Sequence, residues 1–113
     1  SMDYKETVVQ AVLGYINSDC KNASLTRIAE DTHQSITALS KLIKQKTGYN
    51  FKELLQRKRF QMAVHLLCDT KLSIEEIALD VGYENQSYFF RQFKERYGMT
   101  PHKYRKEKLN KKR

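Results

Sequence analysis

Ser73-Ile74-Glu75-Glu76-Ile77-Ala78, followed by Val81-Gly82-Tyr83 and Ser87-Tyr88-Phe89-Phe90-Arg91-Gln92-Phe93-Lys94, with Gly98 and Thr100-Pro101 beyond, is the stretch that decides the fold. Ile74, Ile77, Ala78 and Val81 recur at three and four, the spacing of one face of a short helix, and Ser73 with Glu76 has the spacing of a capping box. Gly82 turns the chain. Asn85 can cap a second, longer helix that carries Phe89, Phe90, Phe93 and Tyr97 inward and stops at Gly98. The same design occurs earlier in the chain, at an offset of 49 to 50 residues. Ile28-Ala29 precedes Ile77-Ala78, Leu39 precedes Phe89, Lys41 precedes Arg91, Lys44 precedes Lys94, and Thr47-Gly48 precedes Tyr97-Gly98. Each copy reads as a short helix, a tight turn and a longer basic helix. A helix-turn-helix lays its second helix in the major groove of DNA, and two copies can read two groove segments.

The flanking sequence supplies the scaffold. Val8, Val9, Val12, Leu13 and Ile16 form an apolar stripe on a first helix over 3–19, with Asp3 near its start. Ser24 can cap the short helix of the first copy, and Ser35 the longer one, which turns Leu39, Leu42 and Ile43 inward and Thr37, Ser40, Lys41 and Lys44 outward. Asn50 and Glu53 repeat the capping-box spacing and open a long helix to about Cys68, with Phe51, Leu54, Leu55, Met62, Ala63, Leu66 and Leu67 inward. Thr100-Pro101 starts a last helix that brings Tyr104 onto the core. The turns of the two copies differ: Ala29 to Leu39 is ten residues and Ala78 to Phe89 eleven. His33-Gln34 stands where the second copy has Gly82-Tyr83, so histidine fills a backbone position suited to glycine, and the first unit is expected to be the less stable.

The 113 residues are of single-domain size, and one proline and four glycines leave room for nearly all helix. Twenty-one basic against 13 acidic side chains give a formal charge of +8. It is unevenly placed: residues 1–50 carry six basic and five acidic groups, residues 51–113 fifteen and eight. Positive charge favours polyanions, whether nucleic acid or an anionic membrane surface, without conferring sequence preference. Cys20 and Cys68 lack metal-ligand spacing and read as reduced thiols of a cytoplasmic protein. No apolar run approaches the roughly 20 residues needed to span a bilayer, so no membrane is expected. His33, His65 and His102 are too scattered for metal or general-base work, and neither a nucleophile-base arrangement nor a phosphate-binding glycine loop is present; neither an enzyme nor a cofactor is expected. The phenylalanines at 89, 90 and 93 read as core rather than as stacking platforms for single strands. Ser1-Met2 has the look of a cloning remnant. Residues 103–113, with seven basic groups and one acid, read as a frayed tail.

The stretch from Ser73 to Lys94, together with Gly98 and Thr100-Pro101-His102-Lys103-Tyr104-Arg105, strongly resembles the DNA-binding domain of the AraC/XylS family of bacterial transcription regulators, over about residues 5–107. The resemblance implies an all-α fold of seven helices, a homeodomain-like pair of helix-turn-helix subdomains at 3–50 and 70–107, joined by a linker helix at 51–69, with a basic tail at 108–113. It also implies that the third and sixth helices enter successive major-groove segments of promoter DNA. The base-reading candidates are then Thr37, Ser40 and Lys41 in the first unit and Gln86, Ser87, Tyr88 and Arg91 in the second. Ser35, Lys44, Asn50, Lys94 and Thr100 are phosphate candidates, the caps because they expose helix N-termini. Arg91 leads, since a guanidinium can grip guanine O6 and N7 together, and Gln86 can pair with adenine. His33 stands in place of the family's frequent glycine, and Thr37 and Ser40 are short, so weaker base readout is expected from the first unit.

An activator that contacts RNA polymerase is implied, with ligand sensing and dimerisation in an N-terminal domain outside this chain, and the end near Arg113 resembles a natural C-terminus. Two other classes stay open. One is a basic helical module that docks an acidic protein and binds DNA incidentally; the other is one arm of a DNA-modifying enzyme.

Overall fold

The computed structural model describes residues 3–111, among which there are seven helices and no strand. The expected remnant at Ser1-Met2 and the chain end at Arg113 lie outside the described residues. The helices are α1 Tyr4–Ser18, α2 Leu25–Asp31, α3 Ile36–Thr47, α4 Phe51–Asp69, α5 Ile74–Val81, α6 Gln86–Tyr97 and α7 Pro101–Lys111. They fall into two compact units, one up to Lys58 and one from Arg59 onward, so the division lies inside α4.

Side-chain caps set the helix starts. Asp3, Ser24, Ser35, Ser73 and Asn85 each accept a hydrogen bond from the backbone N–H three residues on, as do Asn50 ahead of α4 and Thr100 ahead of α7. Each such bond satisfies a donor that has no partner within its helix. Gly48 and Gly98 stop α3 and α6 in the left-handed region, at φ 81° and 74°, where an L side chain is disfavoured.

In the first unit Val8, Val12 and Ile16 of α1 pack with Ile28 and Ala29 of α2 and Leu39 and Ile43 of α3; Phe51, Leu54 and Leu55 at the start of α4 close the cluster. In the second unit Phe60, Ala63 and Leu67 of α4 meet Ile74, Ile77, Ala78 and Val81 of α5 and Phe89 and Phe93 of α6. Phe60 is fully buried and stacks on Phe89, with ring centroids 5.4 Å apart. It is missing from the inward set expected for this helix, and it holds the centre of the second core. Phe90 and Tyr97, expected inside, are only half-buried and pack against that core from its edge.

The last helix departs from expectation. Residues 103–111 are not frayed but continue α7. The Arg105 guanidinium explains this: its Nε donates to the Leu67 carbonyl in the last turn of α4 at 3.0 Å and its Nη2 to the carbonyl of Thr70, the residue just beyond that helix, at 3.4 Å, pinning α7 to the end of α4. Tyr104 adds edge-to-face contacts with Phe93 and Tyr97, both at 5.5 Å.

Candidate nucleic-acid interface

Each unit presents one helix whose inner residues are buried and whose outer face is basic. On α3, Leu39 and Ile43 are fully buried while Thr37, Lys41 and Lys44, spaced at i, i+4 and i+7, are exposed. On α6, Phe89 and Phe93 are fully buried while Ser87, Arg91 and Lys94 hold the same three outward positions. Spacing at three and four keeps each trio on one helix face.

The two faces differ in how their cations are held. Lys44 turns back on its own helix, its Nζ donating to the Gly48 carbonyl at 3.0 Å, where it satisfies the helix C-terminus. Arg91 lies over the ring of Tyr88, 5.8 Å from its centroid. Tyr88 in turn packs on the buried Tyr83 at 5.8 Å, and Arg59 covers Tyr83 at 5.1 Å. A row of guanidinium and phenol groups thus runs from the core to the exposed end of Arg91 and limits the orientations of that side chain. Burial pushes the Tyr83 phenol above its usual pKa, against the pull of Arg59.

The remaining candidates divide by burial and by what occupies their side chains. Gln86 is half-buried at the first position of α6. Ser40 is half-buried, and its counterpart in the second unit is Phe90, whose ring rests on the core. Ser35, Asn50 and Thr100 spend their side-chain oxygens on Ala38, Glu53 and Lys103 N–H groups, at 3.1, 2.8 and 3.2 Å. Any phosphate contact there falls to the other amides of the first turn. Four exposed α3 residues, Ile36, Ala38, Gln45 and Lys46, are absent from the sequence-based set. Gln45 lies one turn beyond Lys41, where the i, i+4 spacing could have revealed it, and Ile36 opens the helix with 47% of its surface exposed. Periodicity gives no sign of Ile36, because an aliphatic residue beside a cap reads as core.

The turns between the paired helices share one geometry. In the first, Gln34 N–H donates to the Ala29 carbonyl at 2.9 Å and His33 has φ 57°; in the second, Tyr83 N–H donates to the Ala78 carbonyl at 2.8 Å and Gly82 has φ 115°. Histidine therefore does occupy the left-handed position that glycine fills in the other copy. After it, Ser35 caps α3 two residues on, whereas Asn85 caps α6 three residues after Gly82.

Two helix-turn-helix units, each presenting an exposed basic second helix, define the class of helix-turn-helix DNA-binding proteins. The comparisons with known proteins agree. A family model described as a helix-turn-helix domain matches residues 28–107. The C-terminal domain of AraT, a response regulator from Geobacillus stearothermophilus, is 36% identical and superposes with a TM-score of 0.83, covering 93% of this chain and 88% of that one. The xylose operon regulatory protein of Escherichia coli strain K12 is 31% identical over 109 residues, which are 93% of this chain and 28% of that protein. The DNA-binding domain of the global transcriptional factor AdpA, in complex with a target DNA, shares the fold, with a TM-score of 0.76 at 21% identity over 94% of this chain and 93% of that one. The chain belongs to the AraC/XylS family of helix-turn-helix transcription regulators. It spans about a third or less of the length of the curated relatives it matches. Among the described residues no helix is long and apolar enough to cross a membrane.

Proposed function

We propose that α3 and α6 enter two major-groove segments of one duplex, and that α6 supplies most of the base readout. The observation that carries this is the repeated outward trio, Thr37, Lys41, Lys44 and Ser87, Arg91, Lys94, on the second helix of each unit. Arg91 grips a guanine edge through O6 and N7, with Tyr88 beneath its guanidinium holding the approach, while Gln86 and Ser87 reach neighbouring bases from the first turn of α6. Thr37, Ser40 and Lys41 read the other segment. Lys94 binds phosphate, as do Lys44 when it leaves the Gly48 carbonyl and the amides opened by Ser35, Asn50 and Thr100. The complex of a domain of this fold with a target DNA supports DNA binding, and kinship with an operon regulatory protein supports action at promoters; as an activator the protein would contact RNA polymerase, with effector binding and dimerisation in a further domain.

Paired substitutions test the assignment. Arg91→Ala is expected to cost about 1 to 3 kcal/mol on the preferred site and to relax selectivity at one base pair, whereas Lys94→Ala weakens binding to all sequences alike and lowers the salt slope by about one. Equal losses on preferred and random duplex for Arg91→Ala would remove base reading from that residue. Failure of the wild-type chain to prefer any duplex sequence would favour an acidic protein partner instead.

A further inference from the structure

The left-handed turn at His33 is bracketed by a side chain from the start of the chain. Tyr4, in the first turn of α1, accepts a hydrogen bond from Gln34 Nε2 at 2.9 Å and directs its own hydroxyl at the Thr32 carbonyl, 3.5 Å away. One phenol oxygen therefore meets the residues on either side of His33, whose φ of 57° disfavours an L side chain. Beyond Gln34, the side chains of Ala38, Lys41, Leu42 and Gln45 continue from this tyrosine along α3. In the second unit the equivalent left-handed position is Gly82, where the backbone adopts the turn without such strain.

We propose that Tyr4 is a positioning residue for DNA recognition. Its hydroxyl clamps the strained His33 turn and thereby fixes where α3, with Thr37 and Lys41, is presented. This rests on the reading that α3 meets DNA, but the clamp itself can be observed without DNA. The hydroxyl does its work only because the turn residue is not glycine, so its contribution must vanish when His33 is replaced by glycine. A tyrosine that merely contacted phosphate, or merely packed, would contribute the same in either background.

The test is a double-mutant cycle on the 113-residue chain with Tyr4→Phe, His33→Gly and the combination, read in two ways. The first is amide hydrogen exchange at Gln34 and Leu39 without DNA; the second is affinity for a duplex recovered by selection with the wild-type chain. Tyr4→Phe is expected to speed exchange at the turn and to weaken duplex binding about five-fold, the scale of one lost hydrogen bond. Both effects should disappear in the His33→Gly background. Losses of the same size in both backgrounds overturn the clamp, as does unchanged exchange in Tyr4→Phe. If the exchange results hold but no duplex is selected, the clamp stands as a fold device and the positioning role falls with the DNA reading of α3.

Discussion

His33 holds a backbone conformation that costs a non-glycine residue of order 1 to 3 kcal/mol. His33→Gly relieves that strain but adds freedom to the unfolded chain, so the expected net gain is about 1 kcal/mol, visible as a rise of several degrees in the unfolding midpoint of the first unit. An unchanged or lowered midpoint would show that the strain at His33 is no larger than the chain freedom that glycine adds. The position was legible in the sequence because its counterpart in the repeat is a glycine. Phe60 was not. In α4, Phe51, Leu54 and Leu55 follow helical spacing, and so do Phe60, Ala63 and Leu67, but the step from Leu55 to Phe60 is five residues and the two stripes are out of phase. The expected inward set reached Ala63 and Leu67 of the second stripe but omitted the phenylalanine that opens it, because Phe60 lies opposite Phe51, Leu54 and Leu55 on the helix. Arg91 was legible as an exposed cation in a repeated position, with Tyr88 three residues before it on the same helix, but the packing of Tyr88 on Tyr83 leaves the helix for the turn, where helical periodicity gives no guide.

At the scale of the element, each helix start is declared by a short polar side chain, and for this reason α1 to α7 begin where the sequence suggests. Asn85 opens the helix proposed to do most of the reading, its Oδ1 accepting from Tyr88 N–H at 3.0 Å. Asn85→Ala is expected to cost about 0.5 to 2 kcal/mol of stability. It should also weaken DNA binding by fraying the first turn, which carries Gln86 and Ser87, while preference at the base pair assigned to Arg91, a turn further on, is retained. Loss of that preference would mean that the cap orients the whole of α6. The end of α7 shows the opposite limit. A run of cations suggests a solvated tail, but Lys108 lies over the Tyr104 ring at 5.2 Å and Arg105 binds the end of α4, so tertiary contacts keep the segment helical to Lys111. Composition cannot announce a partner 35 to 38 residues away.

For the whole molecule, the repeat was the most legible feature and the unequal working of its two copies the least. The second unit concentrates aromatic residues: Tyr83, Tyr97 and Tyr104 are each pushed above the ordinary phenol pKa, in every case chiefly by burial. A raised folded-state value means that the stabilisation is complete below the unfolded value of about 10 and is lost as pH climbs through the folded values. The unfolding midpoint of the second unit should therefore drop as the pH is raised past about 10, and Tyr83→Phe should flatten that dependence. A midpoint insensitive to alkali would contradict the burial of these phenols.

Charge is also unequal, +1 over residues 1–50 and +7 over residues 51–113, so the second half is expected to dominate salt-dependent attraction to a duplex. That asymmetry says nothing about whether both units read sequence. The most direct measurement is selection of bound sequences from a randomised duplex pool, followed by affinity for the winner and for scrambled DNA at two salt concentrations. Two enriched elements about one helical turn apart, bound with a large specificity ratio, are what two inserted helices predict. Uniform, steeply salt-dependent binding with no enriched element would contradict the account and leave only a basic helical surface.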